Sequence, residues 1–205
     1  MKIDLIDLKK KYQNEKKELN KVVNSVLKKG NFVLTDELGK FENDICKFVK
    51  SNYCLGLNSG TDALMMSLLA GGVKKGDEVI TTPISFIATV GAIIHIGAKP
   101  IFVDIDKDTL NIDFRLIQKV ITKKTKAIIP VHWGGNLCDM NEIKSIARKN
   151  KLILIEDAAQ AMGASIDGKH AGTFGAGGAF SFFPTKVMTT IEGGMITTNN
   201  RDLAK

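Results

Sequence analysis

The sequence predicts an α/β protein of three layers, α/β/α, around a mostly parallel mixed sheet. Three observations carry this. From residue 53 onward, short β-rich runs alternate with segments of helical period. Leu152-Ile153-Leu154-Ile155 is apolar at every position, as in a strand covered on both faces. The last two expected strands are separated by too little chain for a crossover helix of ordinary length, so the sheet is mixed there.

Taken in order, Leu19, Val22, Val23, Val26 and Leu27 recur at helical intervals, and Gly30 ends the pattern as a C-terminal glycine does. Thr35 is placed to cap a second helix whose apolar stripe holds Leu38, Phe41, Ile45, Phe48 and Val49. Strands are expected over 53–57, 78–82, 100–103, 127–131, 152–155, 179–182 and 195–198, and helices over 62–70, 86–95, 114–121 and 140–150. No repeat or linker interrupts the chain, so residues 1–205 are expected to form one large domain. The end, Asn199 to Lys205, reads like a helix that stops after one turn, which suggests a piece of a longer chain.

Composition excludes more than it selects. The net charge of +7 is spread over pairs such as Lys16-Lys17 and Lys28-Lys29 on helical patterns, where solvated faces explain it. No aromatic run alternates with the basic residues, so a nucleic-acid partner is not expected; a binder of that kind would show steep salt dependence. Cys46, Cys54 and Cys138 are odd in number and far apart, which reads as reduced thiols in a cytoplasmic protein. His95, His132 and His170 lack the spacing of a metal site, and no metal is expected. The N-terminus carries no apolar signal core. The longest apolar stretch, 84–96, is interrupted by Ser85, Thr89 and His95 and is too short to span a bilayer.

The residues that bear chemistry lie at expected strand ends. In Asn58-Ser59-Gly60-Thr61-Asp62 a strand gives way to a helix, placing N–H groups and hydroxyls where phosphate is favoured; a plain cap by Ser59 or Thr61 is the competing reading. Asp157 follows the buried run, where open α/β sheets bind ligands, or else it caps the next segment. Glu156 points to the opposite face of an extended strand. Lys186 follows Ser181-Phe182-Phe183-Pro184-Thr185, a neighbourhood expected to be buried, and burial lowers a lysine's pKa. Phe86 suits either a cofactor ring or the core, with the pattern favouring the core, and His132-Trp133 suit either a crevice or ordinary packing. An amine at 186, a carboxylate at 157 and a hydroxyl at Ser181 are the groups pyridoxal phosphate requires: one for a Schiff base, one for the pyridine nitrogen, one for the phosphate.

Together these segments resemble the DegT/DnrJ/EryC1/StrS sugar aminotransferases of the fold type I large domain. The marks are Phe32-Val33-Leu34-Thr35, Asn58 through Leu64, Pro100 through Ile105, Glu156 through Ala161, Ser181 through Lys186 and Glu192-Gly193-Gly194, in that order. The resemblance implies that Lys186 carries the Schiff base and shuttles a proton, and that Asp157 pairs with the pyridinium nitrogen. It implies that Gln160 meets the ring hydroxyl, that Phe86 stacks on the ring, and that Gly60, Thr61 and Ser181 bind the phosphate. It further implies an amino-acid donor, commonly glutamate, a keto-sugar on a nucleotide diphosphate as acceptor, a homodimer, and a part in polysaccharide or glycosylated-metabolite biosynthesis. Members with histidine at the lysine position act as dehydratases, so Lys186 favours transamination. His132-Trp133-Gly134-Gly135 departs from the family's more frequent aromatic-glycine form. Relatives run on for well over a hundred further residues into a smaller domain, and the competing reading is a truncated, non-catalytic cofactor-binding or structural fragment.

Overall fold

The computed structural model describes residues 6–205. They fall into two compact units, one ending at Phe41 and the other spanning Glu42–Lys205. The first contains helix α1 (Leu8–Lys29), which buries none of its residues and ends at Gly30 in the left-handed conformation. Helix α2 (Asp36–Val49) begins in the first unit and ends in the second. Thr35 accepts a hydrogen bond from Leu38 N–H at 3.4 Å, as expected of a cap.

The second unit is built on seven strands in the order β1-β9-β8-β5-β4-β2-β3. These are β1 (Tyr53–Leu57), β2 (Glu78–Thr81), β3 (Lys99–Phe102), β4 (Thr125–Ile128), β5 (Ile153–Asp157), β8 (Gly177–Ser181) and β9 (Gly194–Thr198). β9 alone is antiparallel to its neighbours β1 and β8; the other pairs are parallel. The sheet is therefore mixed where the short connection required it. A two-stranded hairpin, β6 (Ser165–Ile166) with β7 (Lys169–His170), was not expected, because two residues per strand leave no periodicity to read.

Alternation along the buried strands sorts the core into two layers. Val79, Ala127, Ile129 and Ile155 pack with Leu64, Leu68 and Ile93 of helices α3 (Gly60–Ala70) and α4 (Ile87–His95). Their strand neighbours Ile80, Ile128 and Leu154 pack with Ile117 of α5 (Phe114–Val120) and with Met140 and Ile143 of α6 (Met140–Lys149). Successive residues of a strand face opposite sides, so an uninterrupted apolar run serves both layers. Each such side chain, once buried, contributes about 1.5–3 kcal/mol.

One buried charge joins the layers. Glu156 is fully inaccessible and accepts hydrogen bonds from the backbone N–H of Gly172 at 2.8 Å, Phe174 at 2.6 Å and Gly175 at 2.8 Å. His132, also fully buried, accepts a hydrogen bond from Cys138 N–H on Nδ1 at 3.2 Å, so its Nε2–H donates to Glu156 at 3.0 Å. His132 is thus a satisfied core histidine, one of the two readings left open by sequence. Four donors on one carboxylate hold residues 172–175 to the back of β5. Glu156→Ala should cost on the order of 3–5 kcal/mol in urea unfolding, because it strands those donors; a loss below about 1 kcal/mol would show that the clamp is dispensable.

Candidate functional site

The parallel strands aim their C-terminal ends to one edge of the sheet, and reversed β9 brings its first residues to that same edge. Asp157 ends β5, Ser181 ends β8, Ser59 follows β1, Ser85 follows β2, and Glu192 and Gly193 lead into β9. Ligands collect at such an edge in open α/β sheets. Here it holds a cavity of about 310 Å³.

Two glycines bring the backbone close enough to make it. A Cβ on Gly60 would lie 2.7 Å from Ser181 Cβ, so glycine lets the start of α3 meet the end of β8. A Cβ on Gly194 would overlap Ser59 O and the Gly60 N, so only glycine lets β9 pass directly beneath the turn before α3. Ser59 caps α3 by accepting from Asp62 N–H at 3.0 Å, which settles the capping alternative for that residue. Ser59 and Thr61 both line the cavity.

The seven residues to which the resemblance gives roles line this one cavity: Gly60, Thr61, Phe86, Asp157, Gln160, Ser181 and Lys186; His132 and Trp133 do not. Phe86, which the resemblance put on the cofactor and the apolar pattern favoured for the core, is 66% exposed and flanks the cavity. One expectation fails in detail. The neighbourhood of Lys186 is not uniformly buried: Thr185 and Val187 are exposed and Lys186 itself is half-buried, since 182–193 is loop rather than strand.

The electrostatics are set by burial. Asp157 is 5% exposed. Loss of water pushes its carboxyl above the ordinary aspartate value, opposed in turn by the Thr89 hydroxyl, the Ala159 N–H, His132 and Lys186. Thr89 Oγ1 donates to Asp157 Oδ2 at 2.6 Å, and Ala159 N–H donates to Oδ1 at 3.2 Å. Burial likewise pushes the Lys186 amine below the ordinary lysine value, and Asp157 only partly restores it. Gln160 is oriented too: its Oε1 accepts Gly134 N–H at 2.8 Å, which turns its NH2 away from that loop as a donor.

Sequence reasoning passed over Ser85, Thr89 and Glu192. Thr89 carried a usable signal, a hydroxyl inside an otherwise apolar helix, but it was read only as an interruption of a hydrophobic run. Among the described residues no group of three or more His, Cys, Asp or Glu is arranged to hold a metal ion, and no helix is long and apolar enough to cross a membrane. An amine, an opposed carboxylate, hydroxyls at a helix N-terminus and an aromatic face, around a space of small-molecule size, fit pyridoxal phosphate.

A family model, that of the DegT/DnrJ/EryC1/StrS aminotransferases, matches residues 13–205. The chain is 45% identical over 206 residues to a pleiotropic regulatory protein of Geobacillus stearothermophilus, covering 100% of this chain and 55% of that protein. It is 40% identical over 203 residues to the UDP-2-acetamido-2-deoxy-3-oxo-D-glucuronate aminotransferase of Pseudomonas aeruginosa, covering 98% and 56%. The crystal structure of NtdA from Bacillus subtilis with bound cofactor PMP superposes with a TM-score of 0.94 at 37% identity, covering 100% of this chain and 46% of that one. The chain spans about half the length of the curated relatives it matches.

Two stability predictions follow from the geometry of the site. An acid whose folded pKa is raised binds its proton more tightly in the native chain, so its contribution is full in acid and is lost as pH rises through that raised value. Asp157→Asn removes this loss, and the cofactor-free variant at pH 7 should melt a few degrees above the parent, with the difference vanishing in acid; an unchanged or lower midpoint would contradict the burial argument. Ile191, 75% exposed, has a φ of 72°, a region β-branched residues avoid. Ile191→Gly should gain roughly 0.5–1 kcal/mol in chemical denaturation.

Proposed function

The chain belongs to the DegT/DnrJ/EryC1/StrS aminotransferase family, and on that premise we propose that it is the cofactor-holding part of a pyridoxal phosphate-dependent sugar aminotransferase. Its donor is an amino acid, glutamate in the first instance, and its acceptor a keto-sugar on a nucleotide diphosphate. The observation that carries the reading is the opposition of Lys186 and Asp157 across one cavity. The nucleotide sugar named for the Pseudomonas aeruginosa relative supports the substrate class.

Pyridoxal phosphate supplies an aldehyde that condenses with amines and a ring that withdraws electrons. The chain's own residues do the rest. Lys186, with its amine driven toward the neutral form, is the attachment point and then the base that holds and moves a proton at Nζ. Asp157 provides the fixed negative charge for a ring nitrogen. Gly60 and Thr61 in the first turn of α3, with Ser181 beside them, form the phosphate seat, where the helix dipole favours an anion. Phe86 offers a ring face and Gln160 an oriented donor to a ring hydroxyl. Phe86, Phe183 and Leu64 give the cavity apolar walls.

The working form is a cytoplasmic homodimer. Its support is apolar surface next to the site: Ile87 is 70% exposed and Val187 71%. A second copy would cover such surface.

Added pyridoxal phosphate should give a visible absorbance that borohydride makes permanent on the peptide containing Lys186. Lys186→Ala should lose the fixed label while keeping its circular dichroism. Equal labelling of that variant would move the attachment to a surface lysine and reject the assignment. Amino transfer from glutamate to a nucleotide-linked keto-sugar then distinguishes a catalyst from a fragment that only binds the cofactor.

A further inference from the structure

The carboxylate at the base of the cavity is held by hydroxyls that the family reading does not use. Thr89 lies in the first turn of α4, fully buried, and its Oγ1 is 2.6 Å from Asp157 Oδ2 and 2.6 Å from Ser85 Oγ. Both contacts sit at the short end of the O–H···O range, where charge-assisted bonds are found. A hydroxyl has one proton to give. With Asp157 ionised, Thr89 gives it to Oδ2, and Ser85, on the cavity wall, must donate to Thr89. The order is forced.

We propose that Ser85 and Thr89 form a hydroxyl relay that keeps Asp157 ionised and fixes Oδ2, Thr89 as a positioning residue and Ser85 as its orienter. The inference deepens the proposed reading and rests on it for purpose, though not for its test. Other groups bear on the same carboxylate from each side. Lys186 reaches it from the loop after β8, and His132 and the Cys138 thiol from the segment after β4. Ala159 N–H comes from the turn after β5, and Glu156 is turned to the other face of the sheet. Of these, Lys186 is the group that imine formation would remove as a cation. Thr89 is a neutral donor that does not depend on it. The relay therefore supplies the stabilisation that survives when the lysine is no longer charged. A water cannot substitute readily, since Thr89 has no accessible surface.

The test follows the Asp157 carboxyl by carbon-13 NMR in the cofactor-free chain labelled at aspartate, with Asp157→Asn to assign the resonance. Thr89→Val keeps the shape and removes the hydroxyl; its Asp157 midpoint should rise by about one pH unit or more. Thr89→Ser should return it to within a few tenths of the parent. Ser85→Ala should raise it by a smaller amount, and a purely structural role would move none of these midpoints. A Thr89→Val chain that is folded by circular dichroism and titrates with the parent overturns the relay. If Thr89→Val does not fold, Ser85→Ala decides: an unshifted midpoint there overturns it equally. Failure of the cofactor reading would show elsewhere, as absence of a borohydride-fixed label in the parent, and would leave these midpoints untouched.

Discussion

Two consecutive carboxylates are buried at the end of a central strand, and strand alternation sends them to opposite faces. Glu156 goes to the side where the backbone of 172–175 and His132 offer four donors. Asp157 goes to the side where it meets one hydroxyl and one backbone N–H. A buried charge costs several kcal/mol unless its lone pairs are taken up. The first carboxylate is saturated and acts as a structural clamp. The second retains unfilled acceptor capacity facing a cavity, and so retains affinity for a cation. Removing either one would disturb different properties: the first the fold, the second the affinity of the site.

The reversed strand serves the same end. Were β9 parallel, its start would lie at the far edge of the sheet, and Glu192 and Gly193 would be remote from Asp157. Reversal returns the loop bearing Lys186 across the mouth of the cavity in about a dozen residues. The contact of Gly194 with Ser59, and of Gly60 with Ser181, then locks the turn before α3, the end of β8 and the start of β9 into one piece. A methyl group at either glycine would force these segments apart, so the local requirement for glycine is steric rather than conformational.

Much of this was legible in sequence because it depends on period and on chain position. The all-apolar run before Glu156 located a central strand, and the residue after that run fell at the ligand edge. Short spacing before Gly194 exposed the mixed pairing. Ser59 and Thr61 could be offered as cap or ligand group; Ser59 proves to be the cap of α3, and both line the cavity. What stayed hidden depends on residues distant in the chain. Thr89 is 68 residues from Asp157, and only the packing of α4 against the sheet brings them together. Phe86 was open to both a ring-stacking and a core reading, because an aromatic at a helix start looks like any other apolar position until packing places it. Glu156 was assigned to the correct face, but the loop that satisfies it carries no pattern that announces the contact.

Lysine and aspartate face each other here under opposed pressures. Burial drives Lys186 toward the free amine and Asp157 toward the neutral acid, while their mutual attraction resists both. Neither group is fully compensated by the other. A group bearing both an aldehyde and a basic ring nitrogen would answer both pressures, since the aldehyde calls for a free amine and the ring nitrogen for a fixed negative charge. Neither half of such a ligand would achieve this alone. A simple aldehyde would leave Asp157 buried with less positive charge than before, and a simple pyridinium would leave the lysine charged in a half-buried setting. The electrostatics of the pair thus suit a cofactor bearing both functions, before any contact with its phosphate is considered.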